Sequence, residues 1–247
     1  MLVPSASTQI CFSIGEQQEL SKPKMLECFT NNGLRTTAPE PELLRRLART
    51  KAVLFDWDGV FNDGFKDAEG GSPFSEVGSM GVNLLRFALW LRNGSLPKAA
   101  VITGQHNPYA ERFAQRERLH GVYMGFTNKP EAFEAFLTKH GLQADEVAFF
   151  FDDVLDLPVA ARCGLRVMIG SPVTTWLVEQ VVARGEVDIV TANSGGNNGL
   201  REATDVVMAL LGVGRDVIAH RASYSETYQR YLAERQAVVP EIVRNTR

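Results

Sequence analysis

Lys51-Ala52-Val53-Leu54-Phe55-Asp56-Trp57-Asp58-Gly59-Val60-Phe61 decides the fold of this chain. Its first half is an apolar run with the pattern of a buried strand. The run ends abruptly in two aspartates two positions apart, followed by a glycine. Side chains alternate along a strand, so Asp56 and Asp58 share one face. Two carboxylates crowded at the end of a buried strand repel each other and lose hydration, and they require positive compensation. Alone, an Asp-x-Asp after a strand is an ordinary polar turn. Its weight depends on what falls at the other strand ends.

Working outward, a rhythm appears from Lys51 onward. Apolar strand candidates fall at 52–55, 99–102, 122–124, 147–151, 165–169 and 188–190. Helical patterns lie between them at 82–91, 108–119, 130–140, 157–163, 174–183 and 200–211. Strands alternating with helices predict an α/β fold, a Rossmann-like parallel sheet with helices on both faces. On such sheets ligands sit at the carboxyl ends of the strands. Between the aspartates and the next helix, Phe61 to Gly81 carries the turn signal Asp67-Ala68-Glu69-Gly70-Gly71, which predicts a small β-hairpin insertion after the first strand.

The flanks divide the chain into three. Residues 1–38 have no sustained period and predict a poorly structured extension, or one that docks on the body. The core spans 39–212, opening on a short helix at Pro39-Glu40-Pro41-Glu42, where proline and acid suit a helix start. Residues 213–247 predict a C-terminal helical extension, with Tyr224, Tyr228, Tyr231 and Leu232 in a stripe along a helix from 223 to 238.

Composition excludes several classes. The chain has 247 residues, a formal charge of −3 and 45% apolar residues, which describes a soluble globular protein and gives no polyanion-binding surface. Nucleic acid is therefore not an expected partner, and no apolar run reaches membrane-spanning length. Cys11, Cys28 and Cys163 are scattered and odd in number, which fits a reducing, cytoplasmic setting.

Three more strand ends carry chemistry. After 99–102 comes Thr103-Gly104, a hydroxyl and approachable backbone N–H groups suited to a phosphate oxygen. Lys129 stands just ahead of a helix, where beside a carboxylate cluster it would neutralise a phosphate and hold a nucleophile anionic. Val147 to Phe151 ends in Asp152-Asp153-Val154-Leu155-Asp156. Helix N-terminal charge accounts for one or two of those acids, and a Mg2+ site accounts for the set.

In order and spacing, Asp56-x-Asp58, Thr103-Gly104, Lys129 and Asp152-Asp153-x-x-Asp156 resemble the four-motif signature of the haloacid dehalogenase superfamily. The resemblance covers residues 51 to 211. Within it the chain looks like the capless branch containing 3-deoxy-manno-octulosonate 8-phosphate and nonulosonate 9-phosphate phosphatases. Ser194-Gly195-Gly196-Asn197-Asn198-Gly199 is similar to that branch's late glycine-rich loop, which approaches the active site. Spacing supports a capless core independently, since only one helix and one strand fit between Lys129 and Asp152.

The resemblance implies a Mg2+-dependent phosphomonoester hydrolase acting on a phosphorylated sugar acid or similar small metabolite through an aspartyl-phosphate. Asp56 would be the nucleophile and Asp58 the general acid and base. Thr103, Gly104 and Lys129 would bind the phosphoryl group. Asp56, Asp58 (through its carbonyl) and Asp152 would hold the metal, with Asp153 and Asp156 orienting these groups. It also implies a homo-oligomer, a tetramer assembled through the hairpins, whose neighbouring subunits close the lidless site. The chain departs from the branch where Gln105-His106 follows Thr103-Gly104 in place of arginine. It departs again at Val77-Gly78-Ser79-Met80-Gly81, in place of Arg-Asp-Gly. These differences weaken the sugar-acid assignment and leave the four motifs intact. The alternative is a catalytically silent, oligomeric binding or scaffold module of the same fold.

Overall fold

Residues 22–246 are described by a computed structural model, and residues 1–21 of the expected extension lie outside this part. In chain order the main elements are α1 (Lys22–Thr30), β1 (Arg35–Thr36), α2 (Glu40–Arg49), β2 (Ala52–Phe55), α3 (Glu76–Asn93), β3 (Lys98–Thr103), α4 (Pro108–Glu117) and β4 (Gly121–Met124). There follow α5 (Lys129–His140), β5 (Val147–Phe151), α6 (Leu157–Ala160), β6 (Leu165–Met168), α7 (Thr175–Ala183), β7 (Ile189–Val190), α8 (Gly199–Leu211), α9 (Gly214–Ala222), α10 (Glu226–Gln236) and β8 (Glu241–Arg244).

One sheet results, in the order β1-β7-β6-β5-β2-β3-β4-β8. Every pairing is parallel except that of β1 with β7. The expected α/β architecture is therefore present, with all six sequence-derived strands in place. β2 lies between β3 and β5, so the chain reverses its direction of travel across the sheet beside it. That switch point opens a crevice at the carboxyl edge.

Alternation along the central strands builds two cores. Val53, Phe55, Val101 and Phe150 face one side with α3 and α8; Leu54, Ile102, Phe149 and Phe151 face the other with α5. All eight are fully buried, which explains why these strands read as unbroken apolar runs. Trp57, between the two aspartates, turns away from the cleft into the first core and stacks on Phe61 with ring centroids 4.4 Å apart.

Three expectations change. No strand forms between Asp58 and α3 among the described residues, so the predicted β-hairpin is absent. Its turn does form: Asp67 Oδ1 accepts from the backbone N–H groups of Glu69 and Gly71. The returning arm is engaged elsewhere, because the Ser72 carbonyl accepts from the Trp57 indole at 3.0 Å. Residues 76–81 instead open α3, with Ser75 Oγ accepting from Gly78 N. At the N-terminus, part of the segment expected to be poorly structured is ordered: α1 docks on α8, and β1 pairs antiparallel with β7.

The C-terminal extension is not only helical. Its helical stripe is split by Ser223-Tyr224-Ser225, where Tyr224 takes φ 49° and Ser225 caps α10. The chain then returns to add β8 beside β4, Gly121 opposite Glu241. Four partly exposed residues gave that strand no legible apolar pattern. The tyrosine stripe packs as expected: Tyr231 is fully buried against Phe87, and its hydroxyl donates to the Asn83 carbonyl at 3.2 Å. Tyr231→Ala is expected to destabilise the fold by about 3 kcal/mol or more, read by urea denaturation, because a buried aromatic leaves a cavity.

Candidate functional site

Asp56 follows β2, Thr103 ends β3, Lys129 opens α5 and Asp152 follows β5, so four separate segments meet at one edge of the sheet. Together they line a cleft of about 370 Å³. All the residues singled out from the sequence as catalytic, phosphate-binding or metal-holding stand on it: Asp56, Asp58, Thr103, Gly104, Lys129 and Asp152.

Its floor is ionic. Lys129 Nζ lies 2.6 Å from Asp56 Oδ1 and 2.6 Å from Asp156 Oδ1, and all three side chains are nearly inaccessible. Burial alone would depress the lysine, but the two carboxylates outweigh it and raise its pKa. Lys129 is thus a fixed cation. Asp156, expected only to orient other groups, belongs to the buried centre itself. Asp153 does not: it is exposed, and its carboxylate accepts from Val154 N to cap the short turn before α6.

Carboxylate oxygens of Asp56, Asp152 and Asp156 come within 4.8 Å of one another. Burial, then the charges of Asp56 and Asp156, push the Asp152 carboxyl up to about 9. Its Oδ1 is buried without a hydrogen-bond partner. Gly59 makes this packing feasible. It has φ +82°, and a Cβ there would lie 1.9 Å from Asp152 Oδ2. Six carboxylates and two ammonium groups line the cleft. An orphaned carboxylate oxygen among crowded hard oxygen donors fits a Mg2+ ion. The carboxylate of Asp58 stands outside the three-acid group.

Asp58 is held separately. Ser72 Oγ donates to its Oδ1, and Lys66 Nζ reaches the same oxygen at 2.5 Å. Asn107 Nδ2 in turn donates to Ser72 Oγ at 2.9 Å. The sequence reading missed all three residues, because they come from an irregular loop and a helix cap. The only available signal was that Lys66 and Ser72 flank the turn at Asp67-Gly71.

Thr103 is 1% exposed, and its Oγ1 accepts weakly from Gln105 N at 3.4 Å, leaving the hydroxyl proton for another acceptor. Gln105 replaces the branch's arginine as an exposed neutral side chain on the cleft. Gly195 lies directly behind the site loop, where a Cβ would be 2.2 Å from the Gly59 carbonyl. The glycine-rich loop therefore supports the site loop from outside the cleft. No separate domain covers the opening among the described residues.

A parallel sheet whose switch point carries an Asp-x-Asp, a buried lysine and a second acid cluster is the architecture of a phosphohydrolase class. Relatives agree. The 3-deoxy-D-manno-octulosonate 8-phosphate phosphatase KdsC of Haemophilus influenzae is 26% identical over 172 residues, covering 68% of this chain and 88% of that protein. The structure of a haloacid dehalogenase superfamily (subfamily III A) hydrolase from Legionella pneumophila superposes with a TM-score of 0.60. It is 26% identical and covers 74% of this chain and 95% of its own. Hypothetical protein XCC2798 of Xanthomonas campestris is 32% identical, with a TM-score of 0.58 over 72% of this chain and 92% of that one. No family model matches the chain. The chain belongs to the haloacid dehalogenase superfamily and is a KdsC-like member of it.

Lys129→Met should destabilise the protein by about 3 kcal/mol, since it strands two buried carboxylates. Burial, then the charge of Asp56, already raise the Asp156 carboxyl to about 7 beside the lysine, and losing the lysine raises it further. The deficit should therefore grow as pH rises through about 7 and shrink below it, where Asp156 is protonated in both proteins. Chemical denaturation of both proteins across that range measures it.

Proposed function

We propose that the protein is a Mg2+-dependent phosphatase that hydrolyses a phosphorylated sugar acid or similar small metabolite through an aspartyl-phosphate. The observation that carries this reading is the ionic floor, where Lys129 clamps Asp56 between a second acid cluster and the Thr103-Gly104 turn. The names of the KdsC relatives support the substrate class.

Each residue has a task in that reading. The Asp56 carboxylate attacks phosphorus in line; the bond to the leaving oxygen breaks, and Asp58 gives that oxygen its proton. Asp58 then takes a proton from water, which attacks the phosphorus of the acyl phosphate and frees phosphate and Asp56. Lys129 holds the attacking carboxylate anionic and aimed, while the Thr103 hydroxyl and Gly104 N–H bind the phosphoryl oxygens. Ser72 and Asn107 keep Asp58 oriented. Asp56, Asp152 and the Asp58 carbonyl would hold Mg2+, whose charge offsets repulsion between the carboxylates and the phosphate.

Self-association is the proposed means of excluding water from the lidless cleft. Leu155, which lines the cleft and is 62% exposed, supports this, as does Phe65, 72% exposed between the lining residues Gly64 and Lys66. No described helix is long and apolar enough to cross a membrane.

Wild-type protein should release phosphate from phosphorylated sugar acids only with Mg2+, and Asp56→Asn should lose at least about a thousandfold in kcat. Equal activity of the two proteins would overturn the nucleophile assignment. Mg2+ binding should also depend on pH. The raised Asp152 carboxyl carries a proton at neutral pH, and metal must displace it, so affinity rises with pH. The Mg2+-induced rise in Tm is therefore expected to be larger at about pH 8 than at about pH 6.

A further inference from the structure

Asp58 Oδ1 has two donors of opposite character. Ser72 is fully buried, its hydroxyl is fixed by Asn107, and its carbonyl is tied to the Trp57 indole. That serine is enough to hold the Asp58 carboxyl in place. Lys66 reaches the same oxygen at 2.5 Å, and the Ser72 hydroxyl more weakly at 3.3 Å, from a side chain that is 30% exposed. Asn107 holds that hydroxyl at 2.9 Å without it. A partly exposed ion pair contributes little stability, and fixing a lysine stem costs rotamer entropy. As a strut for Asp58, Lys66 is redundant.

As a cation it is not. Of the two ammonium groups on the cleft, Lys129 sits at the floor with its charge matched by Asp56 and Asp156. Lys66 stands beside the carboxyl that meets the leaving oxygen. Gln105, exposed on the same cleft, is neutral. A substrate carrying a second negative charge near its ester would meet the repulsion of the cleft's carboxylates unless a cation received it.

We propose that Lys66 is a specificity-determining residue, whose ammonium exchanges Asp58 Oδ1 for a carboxylate carried on the leaving alcohol of the substrate. The inference rests on the phosphatase reading of this cleft. It narrows the substrates to phosphomonoesters whose alcohol bears a carboxylate close to the ester. Ser72 keeps Asp58 aimed after Lys66 has moved. An ammonium is a point charge on a flexible stem, so this contact selects for charge near the ester more than for one sugar configuration.

The test compares kcat/KM for a phosphorylated sugar acid and for the matching sugar phosphate without the carboxylate, in wild type, Lys66→Met and Lys66→Arg. Methionine keeps much of the stem, and Tm checks folding. The preference for the carboxylated substrate should fall by about tenfold to a hundredfold in Lys66→Met, the cost of one charged hydrogen bond, chiefly through KM. Lys66→Arg should restore most of it. An unchanged preference, or an equal fall in kcat for both substrates, overturns the proposal. A wild type that hydrolyses neither compound refutes the phosphatase reading instead. Calorimetric titration of Asp56→Asn, with and without Lys66→Met, then decides the present point, since equal loss of affinity for both compounds overturns it and selective loss for the carboxylated one supports it.

Discussion

The paired contacts of Lys129 with Asp56 and Asp156 are the constraint on which the site depends. They join the end of β2, the turn after β5 and the start of α5. The two carboxylates keep the buried lysine charged, while burial and the charge of Asp56 raise the Asp156 carboxyl to about 7 even with the lysine beside it. The central strands bring these groups together at a high electrostatic cost. The hydrophobic burial of both sheet faces is what holds them there. The result is a crowded acidic centre built around one buried cation.

Specificity is built from different material. The loop from Gly59 to Ser75 has no strand pairing of its own, yet it is not loose. Trp57, Phe61, Phe74 and Phe113 pack their rings beneath it, with centroid separations from 4.4 to 6.0 Å. The glycine-rich loop at Gly195 braces it from behind. This support lets a loop hold Ser72 firmly while leaving Lys66 partly exposed. The acidic floor of the cleft is buried and ion-paired, whereas Lys66 and Gln105 on its walls are solvated.

Much of this was legible beforehand, for a physical reason. Strands buried on both faces have no freedom of composition, so Ala52 to Phe55 and Val147 to Phe151 announce themselves. Acids directly after such runs violate the local pattern and are visible for that reason. Asp156 was harder to place, because its role depends on how a short turn folds back over Lys129. Lys66, Ser72 and Asn107 were not legible, since contacts across a loop leave no period in the chain. β8 was missed because an edge strand whose residues are only partly buried needs little apolar sequence.

The sequence by itself therefore determined the parallel α/β sheet, its lidless spacing and the residues that gather on the cleft. All of these follow from local periodicity and from charges at strand ends. Tertiary structure alone decided that the expected hairpin is an aromatic-anchored loop, that Asp156 shares Lys129 with Asp56, and that Asp58 has one buried and one partly exposed partner. Those outcomes depend on burial and on which distant segments meet, and neither is encoded in any single stretch of the chain. The Asp56-Trp57-Asp58 triplet shows both levels at once. Strand alternation assigned its two faces, and the surrounding fold gave each aspartate a different partner and a different task.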